Sequence, residues 1–184
     1  MTWNAFHHRG EILQTVIDAA DVRLDGVLPM DLAGVAETFA DELDLIGALS
    51  LKWHARLSGN IERELMHQPM DLEAAITNAW RVSSAQAPGI RMIIDSYTDS
   101  PSDPEMAAAL NRAREKEWVK LASAAGLASD DSTAAARAGE RVTNEARTGV
   151  PVPVAASTSA LIPTDVDVVA TPSLVDRIRA VLAA

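Results

Sequence analysis

The apolar positions Leu32, Val35, Phe39, Leu43, Ile46, Leu49, Trp53, Leu57, Ile61 and Leu65 follow one another in steps of three and four. The mean step is about 3.7 residues, close to the helical period and far from the alternation of a strand, so the stretch is expected to be helical with one buried face. Glu37, Asp41, Asp44, Lys52, Arg56 and Arg63 fall between the rungs and form the solvated side. Asp31 stands where a short carboxylate can cap the first turn. As one helix the ladder would run about 50 Å, with Gly47 and Ser58-Gly59 as the places where it can bend or break.

The same periodicity marks shorter helices on either side. Ile12, Leu13, Val16, Ile17 and Ala20 predict a first helix from about Asn4 to Asp21, stopped by Asp25-Gly26 and Pro29. After Pro69, Asp71 is placed to cap a helix with Leu72, Ala75, Ile76, Ala79 and Trp80 on one face. Pro88-Gly89 interrupts that run before a short apolar piece with Ile90, Ile93, Ile94 and Tyr97. Ser102 and Glu105 have the spacing of a capping box ahead of a helix carrying Met106, Leu110, Ala113, Trp118 and Leu121, and Gly126 is a stop. The tetrapeptide Pro-Met-Asp-Leu occurs at 29–32 and again at 69–72, read as one capping device used twice, since the residues that follow do not match.

These patterns predict an all-α fold, an antiparallel bundle of four to five helices over residues 1–126. From Leu127 the character changes. Residues 127–171 read as a low-complexity, partly helical linker, Ala-rich at first and then rich in Pro, Val and Thr. Residues 172–184 recover a helical stripe of Leu174, Val175, Ile178, Val181 and Leu182, which forms a helix only when docked. The expected tail is therefore Ala/Pro/Thr-rich and partly disordered.

Composition narrows the function classes. The 184 residues contain no cysteine, which excludes disulfides, thiolate metal sites and cysteine nucleophiles. The start of the chain lacks the basic and apolar pattern of a secretory signal, and no apolar run reaches the length of a membrane span, so a cytoplasmic protein is expected. Arg far outnumbers Lys and Ala is abundant, as in GC-rich bacterial genomes. The net charge of −10 argues against nucleic acid and anionic membranes as partners. Residues 1–67 carry 11 acidic side chains against five basic ones, a poor surface for a helix-turn-helix regulator, which ranks third among the functions considered.

Candidate chemistry is sparse. Glu64 and His67, three apart on a helix, are the metal candidates, since that spacing occurs in ferritin-like carboxylate sites, although such a site needs a second copy and further Glu residues. His7 and His8 with Glu11 form a cluster near the start, and His54 is read as a hydrogen-bonded boundary residue. Trp3, Trp53, Trp80 and Trp118 are read as one core aromatic per helix. Neither a nucleophile elbow nor a phosphate-binding glycine loop is present, and no cofactor is expected. The leading expectation is a noncatalytic helical protein acting through protein association or homo-oligomerisation. Its partner-binding candidates are Leu174, Ile178, Val181 and Leu182. The alternative is a metal- or small-ligand-binding bundle of ferritin-like architecture using Glu42, His54, Glu64 or His67. Limited proteolysis of the full chain is expected to nick first between Gly149 and Thr171 and leave a resistant N-terminal fragment; equal resistance throughout would contradict the linker assignment.

Overall fold

The computed structural model describes residues 3–149, with side chains from position 7 onward. Residues 150–184, which include most of the expected linker, the terminal helix and its four partner-binding candidates, lie outside the described residues, as does the side chain of Trp3. The described residues are all-helical: α1 (Trp3–Arg23), α2 (Val35–Thr38), α3 (Glu42–Met66), α4 (Leu72–Gln86), α5 (Pro88–Asp99), α6 (Pro104–Ala124) and α7 (Thr133–Thr148). None of these helices is long and apolar enough to cross a membrane. All seven belong to one compact unit.

Helix α1 buries Leu13, Val16, Ile17 and Ala20 as its period requires. It ends where Leu24 and then Gly26 take positive φ, and Asp25 accepts a hydrogen bond from the amide of Val27. The long ladder is not one helix. Its first rungs form only the single turn α2, Phe39 is extended, and α3 starts afresh behind Asp41, which accepts from the amide of Asp44 at 2.8 Å. Arg9 of α1 pins the break, with two bonds to the Asp44 carboxylate at 2.7 and 3.1 Å, one to the Thr38 carbonyl, and its guanidinium 4.3 Å from the centre of the Phe39 ring. Phe39 and Ile46 are both buried, so the apolar ladder runs through the break without registering it. The expected weak points do not break: α3 is continuous through Gly47 and Ser58-Gly59, whose glycines face open space.

Two further capping expectations are corrected. Asp31 caps nothing and pairs instead with Arg23 at 2.7 and 2.8 Å, so the Pro-Met-Asp-Leu device works only in its second copy, where Asp71 accepts from the amide of Ala74. The capping box at Ser102 is also absent. Pro104 occupies the first helical position, which makes Asp103 the cap, and its carboxylate takes the amides of Glu105 and Met106 while Ser102 donates to Glu42. Gly126 at φ +70° does end α6, with the amide of Leu127 reaching back to the carbonyl of Ala122.

Within the stretch read from composition as a partly helical linker, residues 133–148 form α7, capped by Ser132 and packed on α6 and α4. Its buried face is built from Ala135, Ala138, Gly139, Val142, Thr143 and Ala146. These small side chains allow close approach: a Cβ on Gly139 would stand 1.8 Å from the carbonyl oxygen of Trp118. Gly89 plays the same part between α5 and α1, where a Cβ would meet the Ala20 backbone at 2.3 Å. Gly89→Ala and Gly139→Ala are therefore expected to cost about 2–3 kcal/mol or more by overpacking against backbone. Gly59→Ala, in open space on α3, should gain about 0.5–1 kcal/mol from helix propensity. Urea unfolding of the three variants checks both signs.

Candidate functional site

On α6 the buried row runs Met106, Leu110, Leu121, and the helical step between the last two passes through Glu117. The period itself carries a carboxylate inward. Glu117 is only 6% exposed, whereas Trp118, which the sequence pattern assigned to the core row, is half-buried with Arg114 over its ring at 5.1 Å. The Trp53 indole from α3 donates to one oxygen of Glu117 at 2.8 Å, and the Trp80 indole from α4 donates to the other at 2.9 Å. The two rings meet edge to face, with centroids 5.7 Å apart. Both tryptophans are core residues as expected, and both also hold a buried charge.

Three more groups complete the cluster. Arg91 of α5 lies 4.8 Å over Trp53, with a terminal nitrogen 3.6 Å from Glu117 and another bonded to Asp95 at 2.7 Å. Asp95 in turn accepts two bonds from Arg147 of α7, at 2.6 and 2.9 Å, and the Arg147 guanidinium covers Trp80 at 5.2 Å. His54 of α3 brings Nε2 to 3.5 Å from Glu117, near enough to act on its charge without a well-formed hydrogen bond.

Burial alone would raise the Glu117 pKa. His54, the Arg91 charge and the two indole donors outweigh it and bring the group from 4.5 down to about 2. The carboxylate is thus a fixed anion at neutral pH. Beside it opens a cavity of about 270 Å³, walled by α3, α5, α6 and α7 and lined by Trp53, His54, Arg91, Glu117, Thr143 and Arg147 among others. One buried nitrogen at this cluster, Nε of Arg91, has no hydrogen-bond partner within the chain, and Nε2 of His54 has only the Glu117 carboxylate, 3.5 Å away. A donor of this kind on a residue that lines a cavity can meet an acceptor placed there.

The other sequence candidates lie elsewhere. His67 is exposed at the end of α3 with Nδ1 on the Arg63 carbonyl at 2.7 Å, and Glu64 accepts from Asn78 at 2.8 Å. Glu42 takes the Ser102 hydroxyl, and His7 and His8 are exposed on α1. Among the described residues no three His, Cys, Asp or Glu side chains are grouped so as to hold a metal ion. Only His54, of the residues considered for ligand binding, reaches the cavity. Glu117, Arg91, Asp95 and Arg147 escaped the sequence reading, although Glu117 in an apolar row and Arg91 among buried isoleucines were both visible as charges at core positions.

Compared with protein-family models, curated proteins and solved structures, the chain finds no match in any of the three.

Glu117→Gln keeps the shape of the side chain but turns one acceptor toward an indole N–H as a donor. Because the folded pKa lies below the ordinary value, the stabilisation is fully present above about pH 4.5 and is lost as pH falls toward 2. The variant is expected to be less stable by about 3 kcal/mol at neutral pH, a difference that shrinks through that acid window. Urea unfolding at a series of pH values checks it; a constant gap across the window would show that the carboxylate charge contributes nothing.

Proposed function

We propose that the chain is a noncatalytic binding protein whose cavity among α3, α5, α6 and α7 takes a small polar ligand. The observation that carries this reading is the polar wall of the cavity, where the ionised Glu117 carboxylate, His54 and Arg91 with its unpartnered buried Nε stand together. The ligand must offer hydrogen-bond acceptors, and its size is bounded by about 270 Å³, close to the lower end of known small-molecule sites. The reading takes up the ligand-binding alternative drawn from the sequence, without its metal. It assumes the finer architecture expected there, an antiparallel bundle with the Ala/Pro/Thr-rich tail outside it, and a cytoplasmic setting.

The three tryptophans at the site report on occupancy. Thermal-shift and fluorescence titrations with small carboxylates, amino acids and nucleobases are expected to find one class that alters indole emission. At about 100 times its Kd it should stabilise by roughly 2.7 kcal/mol, which for a chain of this length is a rise in Tm of about 5–10 °C. Arg114→Ala and Asn144→Leu, both at exposed positions on the cavity wall, should weaken that response without lowering Tm in the absence of ligand. No response to any class, together with no small molecule retained in native mass spectra of protein taken from its host, would refute the reading.

A further inference from the structure

The outer flank of α6 carries Arg112, Lys116 and Lys120 at i, i+4 and i+8, all exposed, in a chain whose net charge is −10. Two of the three lysines in the whole sequence stand in this row. They form the rim of a groove of about 500 Å³ between α6 and α3, which adjoins the ligand cavity at His54 and Ala113. The groove is otherwise apolar or small: Ile46, Gly47 and Leu51 on the α3 side face Ala109 and Ala113 on α6. Leu51 is 71% exposed, and nothing lies within 4 Å of where a Cβ on Gly47 would be. No carboxylate lines the groove among the described residues, and Lys120 reaches across one end of it to donate to Ser58.

We propose that this groove docks an acidic amphipathic helix of a protein partner. The apolar floor is left open by Gly47 and the two alanines, so it accepts the apolar face of a helix. The basic row runs along one side for about 12 Å, two helical turns, and matches carboxylates spaced i, i+4 and i+8 on the incoming helix. Charge complementarity selects the partner: the row is a continuous basic line beside an apolar groove, on a chain whose net charge of −10 repels other anionic surfaces. A membrane is disfavoured, because an anionic bilayer meets the whole net charge and a groove offers it no flat face.

Fluorescence anisotropy with the full chain tests this, using a labelled amphipathic peptide of about five turns with leucines on one face and glutamates on its flank, and a twin with lysines in place of the glutamates. The Glu-flanked peptide is expected to bind at least about tenfold more tightly than its twin, with the gap narrowing as salt is added. Lys116→Glu with Lys120→Glu should reverse the preference, and Gly47→Trp, placed in open space, should abolish binding at unchanged Tm. Equal affinities, or no binding of either peptide, would overturn the proposal. So would binding to phosphatidylglycerol vesicles in preference to the peptide, which would assign the row to a membrane, or a dimer in sedimentation equilibrium that Lys116→Glu dissolves, which would assign it to a second copy of the chain.

Discussion

A carboxylate held as an anion in the interior forces the helices around it into one arrangement. Glu117 can remain charged there only if donors replace the water it has lost, since an unpaired ion in a low-dielectric interior costs several kcal/mol. Those donors come from three other helices: the indoles of α3 and α4 take one oxygen each, and Arg91 of α5 supplies the opposite charge. Rotation of any of them by one residue, about 100°, would leave the carboxylate or an indole N–H without its partner. The cluster thereby fixes the rotational setting of the helices that contribute to it.

The chain of charges continues outward from that point. Arg91 is shared between Glu117 and Asp95, and Asp95 between Arg91 and Arg147, so the polar network reaches from the core to α7 at the surface. Helix α7 delivers Arg147 only because its inner face is made of alanines, glycine and threonine, which let its axis lie close to α6. Close packing on that side and open space on the other are two results of one side-chain choice. Where Ala113 and Thr143 face the cavity, the side chains are too short to fill it, and the polar groups on its walls keep it from collapsing onto an apolar core.

Surface and interior are thus organised by opposite rules. The interior surrounds a single carboxylate with donors from other helices, while the outer face of α6 sets three like charges side by side beside an open apolar strip. His54 and Ala113 stand on the walls of both hollows, so the groove and the cavity are contiguous there.

The sequence by itself determined the helical character of the chain and most helix positions, because helix formation is read from local spacing: α1, α4, α5 and α6 begin and end near the residues whose period, prolines and glycines mark them. It also contained Glu117 and Arg91 as charges in apolar rows. What local spacing does not carry is the partner of each group. The break at Phe39 depends on Arg9 from another helix, Asp31 is drawn from its cap by Arg23, and α7 has a face of small residues whose burial is evident only against α6. The site is the extreme case, since Trp53 and Trp80 lie 64 and 37 residues from Glu117 along the chain. Only the packing of α3, α4, α5 and α6 brings two indoles, a guanidinium and a carboxylate to one buried point, because the free energy that selects that arrangement, the solvation of a single anion, does not exist until those helices have met.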